Sequence, residues 1–300
     1  TITTGFTAGI AVTIFIGQIK DFLGLTVVSE EPLIETMDKL VGDICFISTI
    51  NVQAVIVGAV CLAILIVWPM INETIPPSLL AVIAGIAMVK GLHMPVNTIG
   101  DLYTISNALP ALTVPVFNFD MVQKLLPDAF TIESLLSCVV ADGMINSKHR
   151  SNTELVAQGA GNIVSALFGG IPATGAIART AANIKNGGRT PIAGMVHAVV
   201  LLLILVVLMP YAALIPMPTI AAILFMVAYN MSGWRKFVYL LKTAPKSDII
   251  VLVLTFGLTV VFDLVVAIEV TVVLAAMLFM KRMSEETAVE GWKYVESDDD

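Results

Sequence analysis

The chain has 300 residues, of which 57% are hydrophobic and 13% are charged, and its mean hydropathy is +0.93. Soluble globular domains carry about 25% charged residues, so this composition excludes an ordinary soluble domain and indicates a polytopic membrane protein. The net charge of −7 comes without a basic tract that would indicate a nucleic-acid partner, and the three cysteines have no metal-ligand spacing. Because the chain opens at Thr1 with no basic region before its apolar run, we expect a fragment without a signal peptide.

Seven apolar runs come close to the length of about 20 residues that a bilayer-spanning helix needs. The connections at residues 26–50 and 94–127 are hydrophilic, and we expect both of them to be loops. In chain order, the predicted spans are 5–25, 51–70, 77–93, 191–210, 214–231, 247–263 and 264–281.

Two further helices are predicted before the centre of the chain. Pro127 and Asp128 open a helix that runs to about Ile145. Ser151-x-x-Glu154 then has the form of a capping box, which predicts the start of a helix over 152–168. This second helix is rich in Gly and Ala, as close helix packing in lipid requires.

Lysines and arginines indicate the orientation in the membrane, because they concentrate in cytoplasmic connections. With alternating spans, eleven of them fall on one side of the membrane and four on the other. The first side is therefore predicted to be cytoplasmic, together with the C-terminus, and the connections 26–50 and 94–127 face outward. We expect a multi-pass protein of the plasma (inner) membrane.

The stretch at residues 169–191 is polar and punctuated by glycine, with the sequence GGIPATGAIARTAANIKNGGRTP. Pro172 and the two glycines before it cannot extend a helix. From about Gly175 the pattern is helical as far as Gly187-Gly188, a length of about 18 Å, which is half of a hydrocarbon core. A half-helix that starts near the membrane midplane points its N-terminal amides at whatever binds there.

Two side chains make this half-helix a candidate anion site. Thr174 is placed to cap its N-terminus, and Arg179 adds a full positive charge. The alternative is that Arg179 snorkels to the membrane surface or pairs with an acid for purely structural reasons. A nucleotide-binding P-loop does not fit, because Ala176-Ile177 stands where Lys-Ser/Thr is required.

Glu133 and Ser137 form a second candidate, because residues four apart share one helix face. The carboxylate and the hydroxyl could hold Na⁺, or the carboxyl could carry a proton. Alternatively, Glu133 is a structural partner of Arg179, and both interpretations stay open. No other cofactor or metal is predicted. No nucleophile–base pair or metal constellation indicates an enzyme.

With these features in view, nearly the whole chain resembles the sulfate permease (SulP) family of anion transporters. The most specific segment covers the helix at 152–168 and the stretch that follows it. The segments that carry the resemblance are GFTAGIAVTIFIGQIKDFLGL, ESLLSCVVADGM, SNTELVAQGAGNIVSALFGGIPATGAIARTAANIKNGGRTP, VAYNMSGWRKF and PKSDIIVLVLTFGLTVVFDLVVAIEV.

The resemblance implies an all-α polytopic fold of fourteen membrane segments in two inverted repeats of seven, in which a core domain moves against a gate domain. If residues 169–191 form segment 10, the chain begins at segment 5, lacks segments 1–4 and stops before a STAS domain. The implied parts are 1–96 (gate helices, segments 5–7), 97–128 (an extracellular connection), 129–210 (core helices, segments 8–11), 211–283 (gate helices, segments 12–14) and 284–300 (a cytoplasmic linker).

The resemblance also implies roles for individual residues. The backbone from Thr174 to Ala178 is expected to face the anion, and Arg179 matches a basic residue beside the anion in motor-like animal members. Glu133 and Ser137 match an acid and a hydroxyl that hold Na⁺ in a bicarbonate-transporting relative. The expected anion-binding residues are Thr174, Gly175, Ala176, Ile177, Ala178 and Arg179.

The sequence therefore predicts a secondary active transporter of sulfate, bicarbonate or dicarboxylate, which works by alternating access and is coupled to Na⁺ or H⁺. The expected partners are the anion, membrane lipid and a second copy of the chain in a homodimer, but no nucleic acid. One alternative is an anion-sensing or motor-like membrane protein without net transport. Another is a nucleobase permease of the same fold, which would favour paired carboxylates over Arg179.

Overall fold

The computed structural model describes most of the chain, and the residues that it describes form helices and connections. The described residues are 2–27, 35–72, 75–104, 110–114, 118–130, 135–176, 179–180, 183–184, 187–262, 270, 273–274 and 277. Within these ranges the only β-type pairing is an isolated antiparallel bridge between Thr98 and Pro216.

The helices follow one another along the chain with short connections. They are α1 (Ile2–Gly17), α2 (Ile19–Leu23), α3 (Thr36–Cys45), α4 (Val52–Ile71), α5 (Pro77–Gly91), α6 (Ile99–Leu102), α7 (Phe119–Phe130), α8 (Leu135–Ile145), α9 (Ser151–Leu167), α10 (Ile192–Leu203), α11 (Met209–Ala212), α12 (Met217–Ser232), α13 (Trp234–Thr243) and α14 (Lys246–Val261). A 3₁₀ turn covers Ile47–Thr49, and a π turn at Ile204–Leu208 joins α10 to α11.

In the described part of the chain, four helical runs are long and apolar enough to cross a bilayer, and they match the predicted spans at 5–25, 51–70, 191–210 and 214–231. Two other predicted spans, 77–93 and 247–263, correspond to the shorter apolar helices α5 and α14. The predicted span 264–281 and the junction at Asp263 lie almost entirely outside the described residues. The four long runs are Thr4–Leu23, Val52–Ile71, Ile192–Ala212 and Met217–Thr243.

A bundle of helices from both ends of the chain contains the core. In this bundle α1 packs against α12 and α14, while α4 packs against α5 and α12. One cluster of buried side chains is centred on α4 and α5, and it consists of Ala54, Val57, Cys61, Leu65, Ala81, Val89, Val96 and Ala222. Helices α1, α12 and α14 contribute further buried side chains. Helices from residues 1–96 and 211–262 therefore pack together in one bundle.

Glycines bring α1 very close to α14. A Cβ atom added to Gly5 would lie 2.7 Å from the Leu252 carbonyl oxygen, and one added to Gly9 would lie 2.6 Å from Thr259 Cβ. Gly5 and Gly9 form a GxxxG pattern, which allows helix backbones to approach closely in lipid. At Gly17, by contrast, an added Cβ atom would have nothing within 4 Å among the described residues.

The helices on either side of residues 169–191 are packed differently from the bundle. Neither α9 nor α10 has a buried residue in the described part of the chain. The small residues of α9 do not show the predicted close packing there, since a Cβ atom on Gly159 or Gly161 would meet nothing within 4 Å.

The two connections expected to be loops contain helices, so these predictions are wrong in detail. Residues 26–50 include α3, and 94–127 includes α6 and most of α7. Pro127 does not open a helix but lies inside α7. Both α3 and α7 are amphipathic, and the search for uniformly apolar runs does not detect such helices.

The predicted capping box at Ser151 is also not formed. Arg150 occupies the N-cap position of α9, and the Ser151 hydroxyl instead lies 3.0 Å from His149 Nε2. His149 Nδ1 in turn lies 2.7 Å from Asp142 Oδ2, so this group ties the end of α8 to the start of α9. A real capping box occurs at α6, where the Thr98 amide donates to Asp101 Oδ2 at 2.8 Å.

Candidate functional site

The helix that precedes the polar stretch ends on a glycine. Gly169 has a φ of +69°, in the left-handed region. Its amide donates to the Ala166 carbonyl at 3.1 Å, and the Gly170 amide donates to the Ser165 carbonyl at 2.8 Å. This pair of bonds is a Schellman motif, which ends α9 and confirms that the helix does not continue through Pro172.

The chain leaves helical geometry until Ala176, whose carbonyl accepts a hydrogen bond from the Thr180 amide at 2.9 Å. The described residues after this point, 179–180 and 183–184, are helical. Gly187, with a φ of +90°, ends the short helix in a second Schellman motif, because its amide bonds the Ile184 carbonyl at 3.0 Å and the Gly188 amide bonds Asn183 at 2.8 Å. The described residues therefore match the predicted half-helix.

An open cleft of about 450 Å³ is lined by α9 and by the non-helical stretch. It is lined by Glu154, Ala157, Gln158, Gly161, Asn162, Ser165, Ala173, Thr174 and Gly175. Two predicted anion-binding residues, Thr174 and Gly175, are thus among the lining residues, and they face a helix that the sequence interpretation did not assign to the site.

The face of α9 that lines the cleft is polar. Glu154, Gln158 and Asn162 recur every four residues and therefore share one face, with Ser165 one turn further on. These four side chains are half-buried, whereas nearly all the others on α9 are exposed. Polar residues at intramembrane positions are costly and usually face a cavity or a partner. The four-residue spacing of polar residues in an otherwise small and apolar helix was the signal that could have found this face.

Ser137 of α8 lies directly beside Gly175. Ser137 is only 4% exposed, and a Cβ atom added to Gly175 would lie 2.7 Å from its hydroxyl oxygen. The same atom would lie 3.9 Å from Gln158 Nε2. The structure therefore brings the predicted coupling-ion hydroxyl next to the predicted anion-binding backbone. Glu133, the acid predicted to act with Ser137, lies outside the described residues.

The remaining predicted site residues are less well connected to the cleft. Ile177 and Ala178 lie outside the described residues. Arg179 is helical and exposed, and it is not one of the residues that line the cleft. Its assignment to the anion site therefore stays a prediction.

Known proteins resemble this chain over nearly all of its length. The profile of the Sulfate permease family matches residues 1–255. The putative sulfate transporter YvdB of Bacillus subtilis is 43% identical over 295 residues, which cover 95% of this chain and 55% of that protein. The bicarbonate transporter BicA of Synechocystis is 34% identical over 298 residues, which cover 95% of this chain and 50% of that protein. The chain thus spans about half the length of these relatives.

Solved structures share the fold. The transmembrane domain of a cyanobacterium bicarbonate transporter BicA matches with a TM-score of 0.72 and 30% identity, over 89% of this chain and 67% of that one. A murine Solute Carrier 26 family member A9 anion transporter in the inward-facing state matches with a TM-score of 0.81 over 94% of this chain and 47% of that one. At 19% identity, the second match shows the fold alone. These matches confirm the predicted all-α polytopic fold, and the names of the relatives are those of transporters, not enzymes.

Proposed function

Because this chain belongs to the sulfate permease family, we propose that the full-length protein is a secondary active transporter of a small inorganic or organic anion. Sulfate, bicarbonate and dicarboxylates are the candidate substrates. The observation that carries the proposal is the break between α9 and the short helix that restarts at Ala176, beside a cleft lined by polar side chains.

The amides at the start of the short helix supply the binding chemistry. The first amides of any helix lack intrahelical partners, and the N-terminus carries a partial positive charge of about half an elementary charge. In this proposal the backbone from Thr174 to Ala178 donates hydrogen bonds to the anion. Arg179, within the first turn of the helix, adds a full positive charge to the same end. An anion bound there is stabilised without a covalent step.

Ser137 and Glu133 supply the coupling to a cation. The closeness of the Ser137 hydroxyl to Gly175 supports this role, because a cation at Ser137 would lie next to the anion. Oxygen ligands suit Na⁺, while a carboxyl group at Glu133 suits a proton. Either Na⁺ bound by these oxygen atoms or a proton on Glu133 would offset the charge of the anion. The cation and the anion would then favour each other's binding.

Transport by alternating access would move the site past the bundle of α1, α4, α5, α12 and α14. All five helices of the bundle contribute buried side chains, which supports its behaviour as one rigid part. The core helices around residues 169–191 would then slide or rock against it. We further propose that the protein resides in the plasma (inner) membrane as a homodimer, with its C-terminus in the cytoplasm.

Uptake into proteoliposomes that contain the full-length protein tests this function. Labelled sulfate, bicarbonate, a dicarboxylate and, for comparison, a nucleobase are offered in turn, while the Na⁺ and pH gradients are varied independently. We expect saturable uptake of at least one anion, stimulated by one of the two gradients. We expect Arg179→Ala to lower anion uptake about tenfold, which corresponds to about 1.4 kcal/mol of binding free energy. Arg189→Ala, at an exposed arginine beyond the short helix, is the matched control and leaves uptake unchanged.

Unchanged uptake in the Arg179→Ala variant would remove this residue from the site. Voltage-dependent charge movement without uptake of any anion would instead support the motor-like alternative. Uptake of a nucleobase but of no anion would refute the substrate class.

A further inference from the structure

Two side chains of α9 hold the non-helical stretch in place. Asn162 Oδ1 accepts a hydrogen bond from the Ala173 amide at 2.8 Å. The Ser165 hydroxyl donates to the Ile171 carbonyl at 3.0 Å. Asn162 and Ser165 are three residues apart and so lie on the same face of α9. One helix face therefore binds the stretch at two points, Ile171 and Ala173.

These two bonds account for backbone groups that no secondary structure satisfies. Residues 171–173 are not helical, and Pro172 has no amide hydrogen to donate. Backbone groups inside a membrane protein need partners within the protein, because lipid offers none. Asn162 and Ser165 supply these partners on either side of Pro172. The stretch can therefore leave helical geometry without leaving the Ile171 carbonyl or the Ala173 amide unpaired.

The bonds also fix the position of the next residues. Thr174 follows Ala173 directly, and Thr174 and Gly175 line the cleft together with Asn162. Because the Ala173 amide is tied to α9, the path of the chain into the short helix is set by α9 and not by the short helix alone. The Gly170 amide bond to the Ser165 carbonyl fixes the other end of the stretch on the same turn of α9.

We propose that Asn162 and Ser165 are positioning residues for the anion site, which aim the amides at the start of the short helix by holding residues 171–173. The proposal rests on the proposed function, since it concerns the same site. Neither residue needs to touch the anion. Each acts through one backbone group, Asn162 as an acceptor for Ala173 and Ser165 as a donor to Ile171.

Anion-concentration curves for the full-length protein test the proposal. Asn162→Leu and Ser165→Ala each remove one bond, and we expect each to raise the half-saturating anion concentration about tenfold, equivalent to about 1.4 kcal/mol. Ser165→Thr keeps a hydroxyl donor, so we expect its half-saturating anion concentration to stay within about threefold of wild type. Asn152→Leu is the matched control on the same helix, because Asn152 is exposed and does not line the cleft. We expect this variant to leave the half-saturating anion concentration unchanged.

A second measurement reports on geometry without transport. In a Thr174→Cys protein, the labelling rate at position 174 by a small thiol reagent is followed by mass spectrometry, with and without Asn162→Leu. We expect Asn162→Leu to change this rate at least about threefold, because the stretch is released. If wild type transports no anion but this change appears, the proposed function fails while the positioning role stands. An unchanged rate, or half-saturating concentrations within twofold of wild type in both variants, refutes the positioning role.

Discussion

The contact between Gly175 and Ser137 makes a quantitative prediction for Gly175→Ala. The added methyl carbon would lie 2.7 Å from Ser137 Oγ and 3.6 Å from Ser137 Cβ. The first separation is about 0.8 Å short of a favourable contact of roughly 3.5 Å, whereas the second is already acceptable. Because Ser137 is buried, its hydroxyl cannot move freely away. Overpacking of this kind costs about 1–3 kcal/mol.

A double-mutant cycle assigns this cost to the one contact. Gly175→Ala alone should lower the stability of the purified full-length protein by about 1–3 kcal/mol, measured by thermal unfolding, and raise its half-saturating anion concentration. In a Ser137→Ala background the hydroxyl oxygen is gone, so Gly175→Ala should lower the stability of the protein much less. The two substitutions are then non-additive by at least about 1 kcal/mol.

Gly159→Ala is the matched control, because an added Cβ atom there meets nothing within 4 Å among the described residues. Alanine is favoured over glycine within a helix by up to about 1 kcal/mol, so this variant should be neutral or slightly more stable. Additive effects of Gly175→Ala and Ser137→Ala in both assays would refute the contact between these two residues as the cause.

Three further predictions concern the bundle and its connections. Gly9→Leu should separate α1 from α14 and lower thermal stability by about 1–3 kcal/mol, whereas Gly17→Leu should not. Asn51→Ala should cost about 1–2 kcal/mol in the same measurement, since its side chain caps α4, and an unchanged melting temperature would contradict this role. Burial raises the pKa of Asp43 above its usual 3.8, so its contribution to stability is largest below that value and is lost as pH rises through the raised pKa. Asp43→Asn should therefore melt higher than wild type at neutral pH and lose this advantage in acid, whereas Asp38→Asn, at an exposed acid, should not.

Features that depend on local chemistry were predictable from the sequence. The long spans follow from uniform hydrophobicity at bilayer length, a property that each run carries by itself. The break after α9 and the end of the short helix follow from Gly169, Pro172 and Gly187, since only certain residues adopt or forbid the required backbone geometry. These predictions needed no knowledge of neighbouring elements.

Features that depend on pairing across the chain were not predictable in this way. Ser137 and Gly175 come from different elements, and no local pattern indicates that they touch. The bond between Asn162 and Ala173 likewise depends on how the stretch folds back along α9. At Ser151 the local pattern was misleading, because His149 competes for the hydroxyl that would have capped the helix.

The π turn at Ile204–Leu208 interrupts a helical run that extends from Ile192 to Ala212. Each residue of an α-helix advances by about 100° around the axis, so one extra residue in such a turn rotates everything after it by that angle. A residue after the turn therefore lies about 100° around the axis from where an uninterrupted α-helix would place it. Deleting one residue of the turn would remove this rotation and leave the mean hydropathy almost unchanged, so a hydropathy profile does not register the difference.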